Sequence, residues 1–156
     1  ASADLVAQLR AAAAREPRLV VIGDTTATGG DLYPALKRLL DETDALLAVP
    51  DPAVYNAGTV HNIIASSVRA QVPVFAFAPA YVRAGAVAAV YSSPAQIGHQ
   101  AGEAVARILA GHPPPPPQHP RAFLVSGNPT VARALGLALD EDAAIAARIQ
   151  RLERTE

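Results

Sequence analysis

Short apolar runs alternate with amphipathic segments along most of this sequence, and that alternation restricts the possible folds more than any other feature. Strand-length runs lie at 18–23 (RLVVIG), 45–49 (ALLAV), 72–78 (VPVFAFA) and 86–91 (AVAAVY). They are nearly continuous in apolar residues, as strands covered on both faces are. Between them apolar residues recur at helical spacing: Leu5, Val6 and Leu9, with Ser2 as expected N-cap; Leu32, Leu36, Leu39 and Leu40; Val60, Ile63, Ile64 and Val68. A longer segment runs through Ile97, Ala101, Val105, Ile108 and Leu109; Ser93-Pro94 opens it and Gly111 closes it. Strands alternating with helices at this spacing predict an α/β domain, Rossmann-like, with a mainly parallel sheet flanked by helices.

The pattern breaks after Gly111. The stretch 112–120 (HPPPPPQHP) reads as an extended, polyproline-like connector. Beyond it come an expected strand at 122–126, a short helix at 129–137 and a last helix at 140–154. That helix starts acidic and ends basic, which suits the helix dipole. The expected organisation is an α/β domain over 1–111, a connector over 112–120 and a strand–helix tail over 121–156. The tail is read as a separate unit, carried away from the main sheet.

Composition removes several functions. With 156 residues, 51% hydrophobic and 17% charged, the chain can bury a core and does not match a disordered composition. No apolar stretch is long enough for a transmembrane helix. A net charge of −1 offers no basic excess for nucleic acid, so none is expected as a partner. Without cysteine there is no disulfide, thiolate metal site or thiol nucleophile. His61, His99, His112 and His119 are scattered without metal-ligand spacing. Gly23-Asp24 and Gly29-Gly30 form no phosphate loop, and Lys37 is the single lysine. Ser66-Ser67 sits within a helical pattern without a nucleophile elbow. The carboxylates sit mostly at helix ends, with none paired for acid–base work. A Rossmann-like enzyme would need a phosphate loop or an acid–base pair. Neither an enzymatic activity nor a cofactor is therefore expected.

Ligands of open parallel sheets bind beyond the carboxyl ends of the strands. That rule selects Asp24-Thr25-Thr26, Pro50-Asp51-Pro52 with Tyr55 and Asn56, the Phe77-Ala78-Pro79-Ala80-Tyr81 turn, and Tyr91-Ser92-Ser93. Asp51 stands between two prolines that fix the backbone and remove donors, so its carboxylate is presented. Alternatively, Asp51 caps the following helix and Tyr55 merely packs. Phe77 and Tyr81 flank a small turn and make a platform for a planar or apolar ligand. The other reading has Phe77 in the core and Tyr81 as a surface anchor. Phe75 points the same way along the strand, but Phe77 is nearer its carboxyl end.

The runs LLAVPDPAVYN (46–56), VPVFAFAPAYVRAGAVAAVYSSPAQIGHQAGEAVARILAG (72–111) and RAFLVSGNPTVARALGL (121–137) resemble the periplasmic substrate-binding proteins of ABC transporters. The resemblance covers nearly the whole chain to about residue 139. It implies one lobe of a type I periplasmic binding protein: two α/β lobes joined by a hinge, a small ligand between them, and an ABC permease as partner. Members of this kind are often tied to amino acids, including aromatic ones. The ligand-loop positions are then Asp51, Tyr55, Asn56, Phe77, Ala78, Pro79 and Tyr81, with Asp51 suited to an ammonium and Phe77 or Tyr81 flanking a side chain. The Phe-Ala-Pro-Ala turn lacks the polar residue common there, which favours an apolar or aromatic ligand. The resemblance also implies a periplasmic or extracytoplasmic location, lipid-anchored or soluble. The family's second lobe begins with a strand before its first helix. The chain accordingly reads as the carboxyl-terminal lobe without that strand, with a sheet edge open to a homodimer partner. The same fold also serves as the extracellular sensor of signalling proteins.

Overall fold

The computed structural model describes residues 2–24 and 32–153, the side chain of Ser2 excepted. The expected Ser2 cap, Thr25-Thr26 and the Gly29-Gly30 turn lie outside the described residues. In chain order the elements are α1 (Ser2–Ala13), α2 (Leu32–Glu42), β1 (Leu46–Leu47), α3 (Val60–Arg69), β2 (Val74–Ala76) and α4 (Pro79–Ala84). They continue with β3 (Ala88–Tyr91), α5 (Pro94–Leu109), β4 (Leu124–Gly127), α6 (Pro129–Ala134) and α7 (Asp142–Glu153). The strands form one sheet in the order β1-β2-β3-β4. β1 pairs with β2 and β2 with β3 in parallel, with Leu46 opposite Val74 and Phe75 opposite Ala88. The protein is thus a mixed α/β fold with helices flanking a four-stranded sheet, as the periodicity predicts.

The chain divides into two compact units, each described by itself. One runs up to Ala89 and takes in Gly127–Leu139; the other comprises Val90–Ser126 and the chain from Asp140 onward. These bounds differ from 111 and 120, where composition shifts.

In the first unit the core is aliphatic. Leu36 of α2, Ile63 and Ile64 of α3, Val74 of β2 and Val87 before β3 are buried, with alanines filling the gaps between them. Each such side chain contributes about 1.5–3 kcal/mol on burial. Ser67 is fully buried and harmless there, because its hydroxyl donates to the Ile63 carbonyl at 2.9 Å. Gln71 carries the left-handed turn that ends α3 (φ 59°).

Three expectations change. The run 18–23 is not a strand: Leu19, Val20 and Ile22 are 60%, 82% and 44% exposed, and the residues join no ladder. An apolar run becomes a strand only through a partner for its backbone groups, and β1 pairs on one side with β2 alone. The turn expected at 77–81 instead runs into a helix, α4 (Pro79–Ala84). Pro79 pre-sets its first residue, and Gly85 closes it in the left-handed conformation (φ 119°). The expected tail strand exists as β4, a member of the sheet rather than an element apart from it.

In the second unit α5 starts with a capping box. The Gln96 N–H donates to Ser93 Oγ, and the Ser93 N–H donates to Gln96 Oε1. Residues 112–120 form neither helix nor strand and are largely exposed. Their far end is fastened to α5: Gln100 Nε2 donates to the His119 carbonyl, the Arg121 N–H donates to Gln100 Oε1, and Arg121 pairs with Glu103.

Candidate functional site

The sites expected at 51–56 and 77–81 lie in the first unit, just past β1 and β2. Ala48 donates to the Phe75 carbonyl at 2.8 Å and ends the β1 pairing. The chain then turns sharply. The Asp51 carbonyl accepts from Val54 at 3.1 Å and Tyr55 at 2.7 Å, while Asp51 Oδ1 accepts from the Ala53 N–H at 2.9 Å. Asp51 therefore organises its own turn. It does not cap α3, whose N-cap is Thr59 with no side-chain capping bond.

Asn56 is engaged at both ends of its amide. Nδ2 donates to the Pro52 carbonyl at 3.1 Å, and Oδ1 accepts from the Gly58 N–H at 3.0 Å. Thr59 closes the loop by donating its hydroxyl to the Val54 carbonyl. Between Asp51, Asn56 and Thr59 the loop is held from within, so Tyr55 is carried on a fixed backbone. Sequence reasoning missed Thr59; its signal was a short polar residue just ahead of an apolar helical pattern.

That loop brings Tyr55 against the rings from the other loop. Its centroid lies 5.9 Å from Phe77 and 6.1 Å from Tyr81, at interplanar angles of 87° and 80°. Phe77 and Tyr81 lie 4.8 Å apart at 60°. These are the edge-to-face arrangements that ring quadrupoles favour. All three rings are half-buried. Phe75 takes no part and is 37% exposed. Burial pushes the Tyr55 phenol up to about 12, and the neighbouring Tyr81 adds to the shift. Ala78 is extended and serves as the N-cap of α4, with Pro79 as its first residue. The two residues thus set the start of the helix that carries Tyr81.

The remaining expected segments behave differently. Asp24 pairs with Arg38. Tyr91, Ser92 and Ser93 belong to the second unit, where their hydroxyls are internally used: Tyr91 with Ser126, Ser92 to the Ala122 carbonyl, and Ser93 in the α5 cap. A shallow cavity of about 220 Å³ lies between α2 and α3, lined in part by Tyr33, Lys37 and Arg69, away from the seven expected residues. Among the described residues no cluster of His, Asp and Glu could hold a metal, and no helix is long and apolar enough to cross a membrane.

Parallel strands β1 and β2 thus lead into loops that bring three aromatic rings together past their carboxyl ends, within an α/β fold. The chain belongs to the ABC transporter substrate binding protein family, whose pattern matches residues 1–149. Three solved structures are similar to it. A conserved domain protein from Vibrio cholerae is 27% identical, with a TM-score of 0.68, over 92% of this chain and 48% of that one. An ABC domain in complex with L-Trp from Streptococcus pneumoniae is 20% identical, with a TM-score of 0.68, over 93% of this chain and 49% of that one. The ligand-free, open structure of a substrate binding protein with adhesive properties from Clostridium difficile is 22% identical, with a TM-score of 0.68, over 90% and 48%. The chain thus spans about half the length of each. No curated protein matches it.

Proposed function

We propose that this chain supplies one lobe, the carboxyl-terminal one, of a two-lobed solute-binding protein serving an ABC-type uptake system outside the cytoplasm. The ligand is an amino acid or a related apolar or aromatic metabolite, held in a cleft between this lobe and a second one and delivered to a membrane permease. The observation that carries the reading is the cluster of Tyr55, Phe77 and Tyr81 at the carboxyl ends of parallel strands. A half-buried ring platform suits a flat or apolar group. Asp51, at the head of the same turn, is the group offered to an ammonium. Membership of a substrate-binding family and a match to about half the length of a similar solved structure support the assignment.

A thermal-shift screen of the two-lobed protein against amino acids tests it. Ligand at a hundredfold excess over its dissociation constant stabilises by about 2.7 kcal/mol. Aromatic and large apolar amino acids should raise the melting temperature. Stabilisation only by sugars, metal ions or nucleotides would overturn the assignment.

The same reading leaves the outer edge of β1, unpaired among the described residues, for another polypeptide to cover. Leu46 and Ala48 bond toward β2, so the N–H and C=O of Leu47 face the open side. We infer that the isolated 156-residue chain dimerises through that edge. Light scattering at micromolar concentration should give twice the monomer mass, and a monodisperse monomer would contradict the inference.

A further inference from the structure

Tyr81 owes its place to α4, a helix of six residues that is too short to be stable alone. The helix is fixed at its start by Ala78 and Pro79, where it leaves β2. At its other end Gly85 donates to the Val82 carbonyl and Ala86 to the Tyr81 carbonyl. One further bond reaches it from far along the sequence. Asn128, between β4 and α6, donates from Nδ2 to the Val82 carbonyl at 3.1 Å. The same side chain accepts at Oδ1 from the Val131 N–H at 3.1 Å and so caps α6. The Asn128 backbone N–H donates to the Val87 carbonyl at 2.8 Å, just ahead of β3. One half-buried residue therefore joins the end of α4, the approach to β3 and the first turn of α6.

The chemistry of the three bonds selects asparagine. The side chain must donate to a carbonyl and accept from an N–H at once, which an amide does with a fixed assignment of its two ends. Aspartate and serine are equally good helix caps. Neither replaces the amide donor: an ionised carboxylate has no hydrogen to give, and the serine side chain is shorter.

We propose that Asn128 is the positioning residue of the aromatic platform, holding α4 so that Tyr81 meets Phe77 and Tyr55. Its consequence for ligand binding rests on the function proposed above; its consequence for ring geometry does not. Two variants, Asn128→Asp and Asn128→Ser, separate positioning from capping because both keep α6 capped. The direct readout is nuclear Overhauser contact between the Tyr81 and Phe77 rings. The second readout is affinity for L-tryptophan as probe in the two-lobed protein. The expected result is loss of the ring contacts in both variants with unchanged far-ultraviolet circular dichroism, and about tenfold weaker binding of the probe, the size of one lost hydrogen bond.

Ring contacts preserved in both variants would overturn the proposal and leave Asn128 as a cap alone. Loss in Asn128→Asp but not in Asn128→Ser would overturn it too, since repulsion by the new charge would then be the cause. If Asn128→Asp does not fold, Asn128→Ser decides. A wild-type protein that ignores L-tryptophan and other amino acids would speak against the proposed function, while the ring contacts would still decide the role of Asn128.

Discussion

Tyr55 sits under Phe77 and Tyr81 because Asp51, Asn56 and Thr59 together hold the loop that carries it. The burial that results has a pH signature. A phenol whose value rises from 10.0 to about 12 in the fold holds its proton more tightly there than in the unfolded chain. Its contribution to stability is complete below pH 10 and is lost as pH climbs from about 10 to about 12, amounting to about 2 kcal/mol. Urea unfolding across that window should show the wild type losing this increment and Tyr55→Phe keeping it; parallel curves would contradict the burial of the phenol. Asp51 can be tested for its two roles separately. Asp51→Asn retains an acceptor for the Ala53 N–H but removes the charge. It should weaken binding of a cationic ammonium ligand by about 1.5–3 kcal/mol. Unchanged affinity by calorimetry would remove Asp51 from the site. That the three rings gather past the strand ends was legible in the sequence because each ring follows a strand along the chain. Asn128 was legible only as a letter of the run 121–137, since its partners Val82 and Val87 are more than forty residues away and hydrogen-bond to it through backbone carbonyls that no side-chain pattern encodes.

The elements were read well where a helix has its own periodicity and poorly where pairing decides. α2 and α3 appear at the residues their apolar spacing marks, because Leu36, Ile63 and Ile64 face one core. The run 18–23 has the composition of a strand but no ladder, since strand formation depends on what lies alongside. α4 was hidden by its length, which is too short for a repeat to show, although Pro79 and Gly85 bracket it with the usual start and stop residues. Gly85 is the more demanding of the two. At φ 119° an added Cβ would meet Ile64 Cγ2 at 3.0 Å. Gly85→Ala should therefore destabilise the protein by about 1–2 kcal/mol, through backbone strain and a crowded Ile64. An unaltered denaturant midpoint would contradict that conformation. In the second unit the α5 capping box gives a milder case: Ser93→Ala should cost about 1 kcal/mol in the same assay.

At the scale of the whole molecule, the fold and family follow from the alternation of strands and helices together with the PDPAVYN and NPTVARALGL segments. The two-unit division does not follow from them. Composition suggests a break at the prolines, yet the compact units change over within β3, within β4 and again between Leu139 and Asp140. Proline-rich sequence marks where the chain is extended, not where packing stops, and here its end is tied to α5 by Gln100 and Glu103. The central claim is that the platform of Tyr55, Phe77 and Tyr81 receives the ligand. A titration of the isotopically labelled 156-residue chain with L-tryptophan, followed by nuclear magnetic resonance, tests it most directly. If the chain is one lobe of a cleft, as proposed, saturation should be weak, with the shifts concentrated at the three rings and the turn headed by Asp51. Shifts confined to the groove between α2 and α3, or none at the rings while other residues respond, would contradict it.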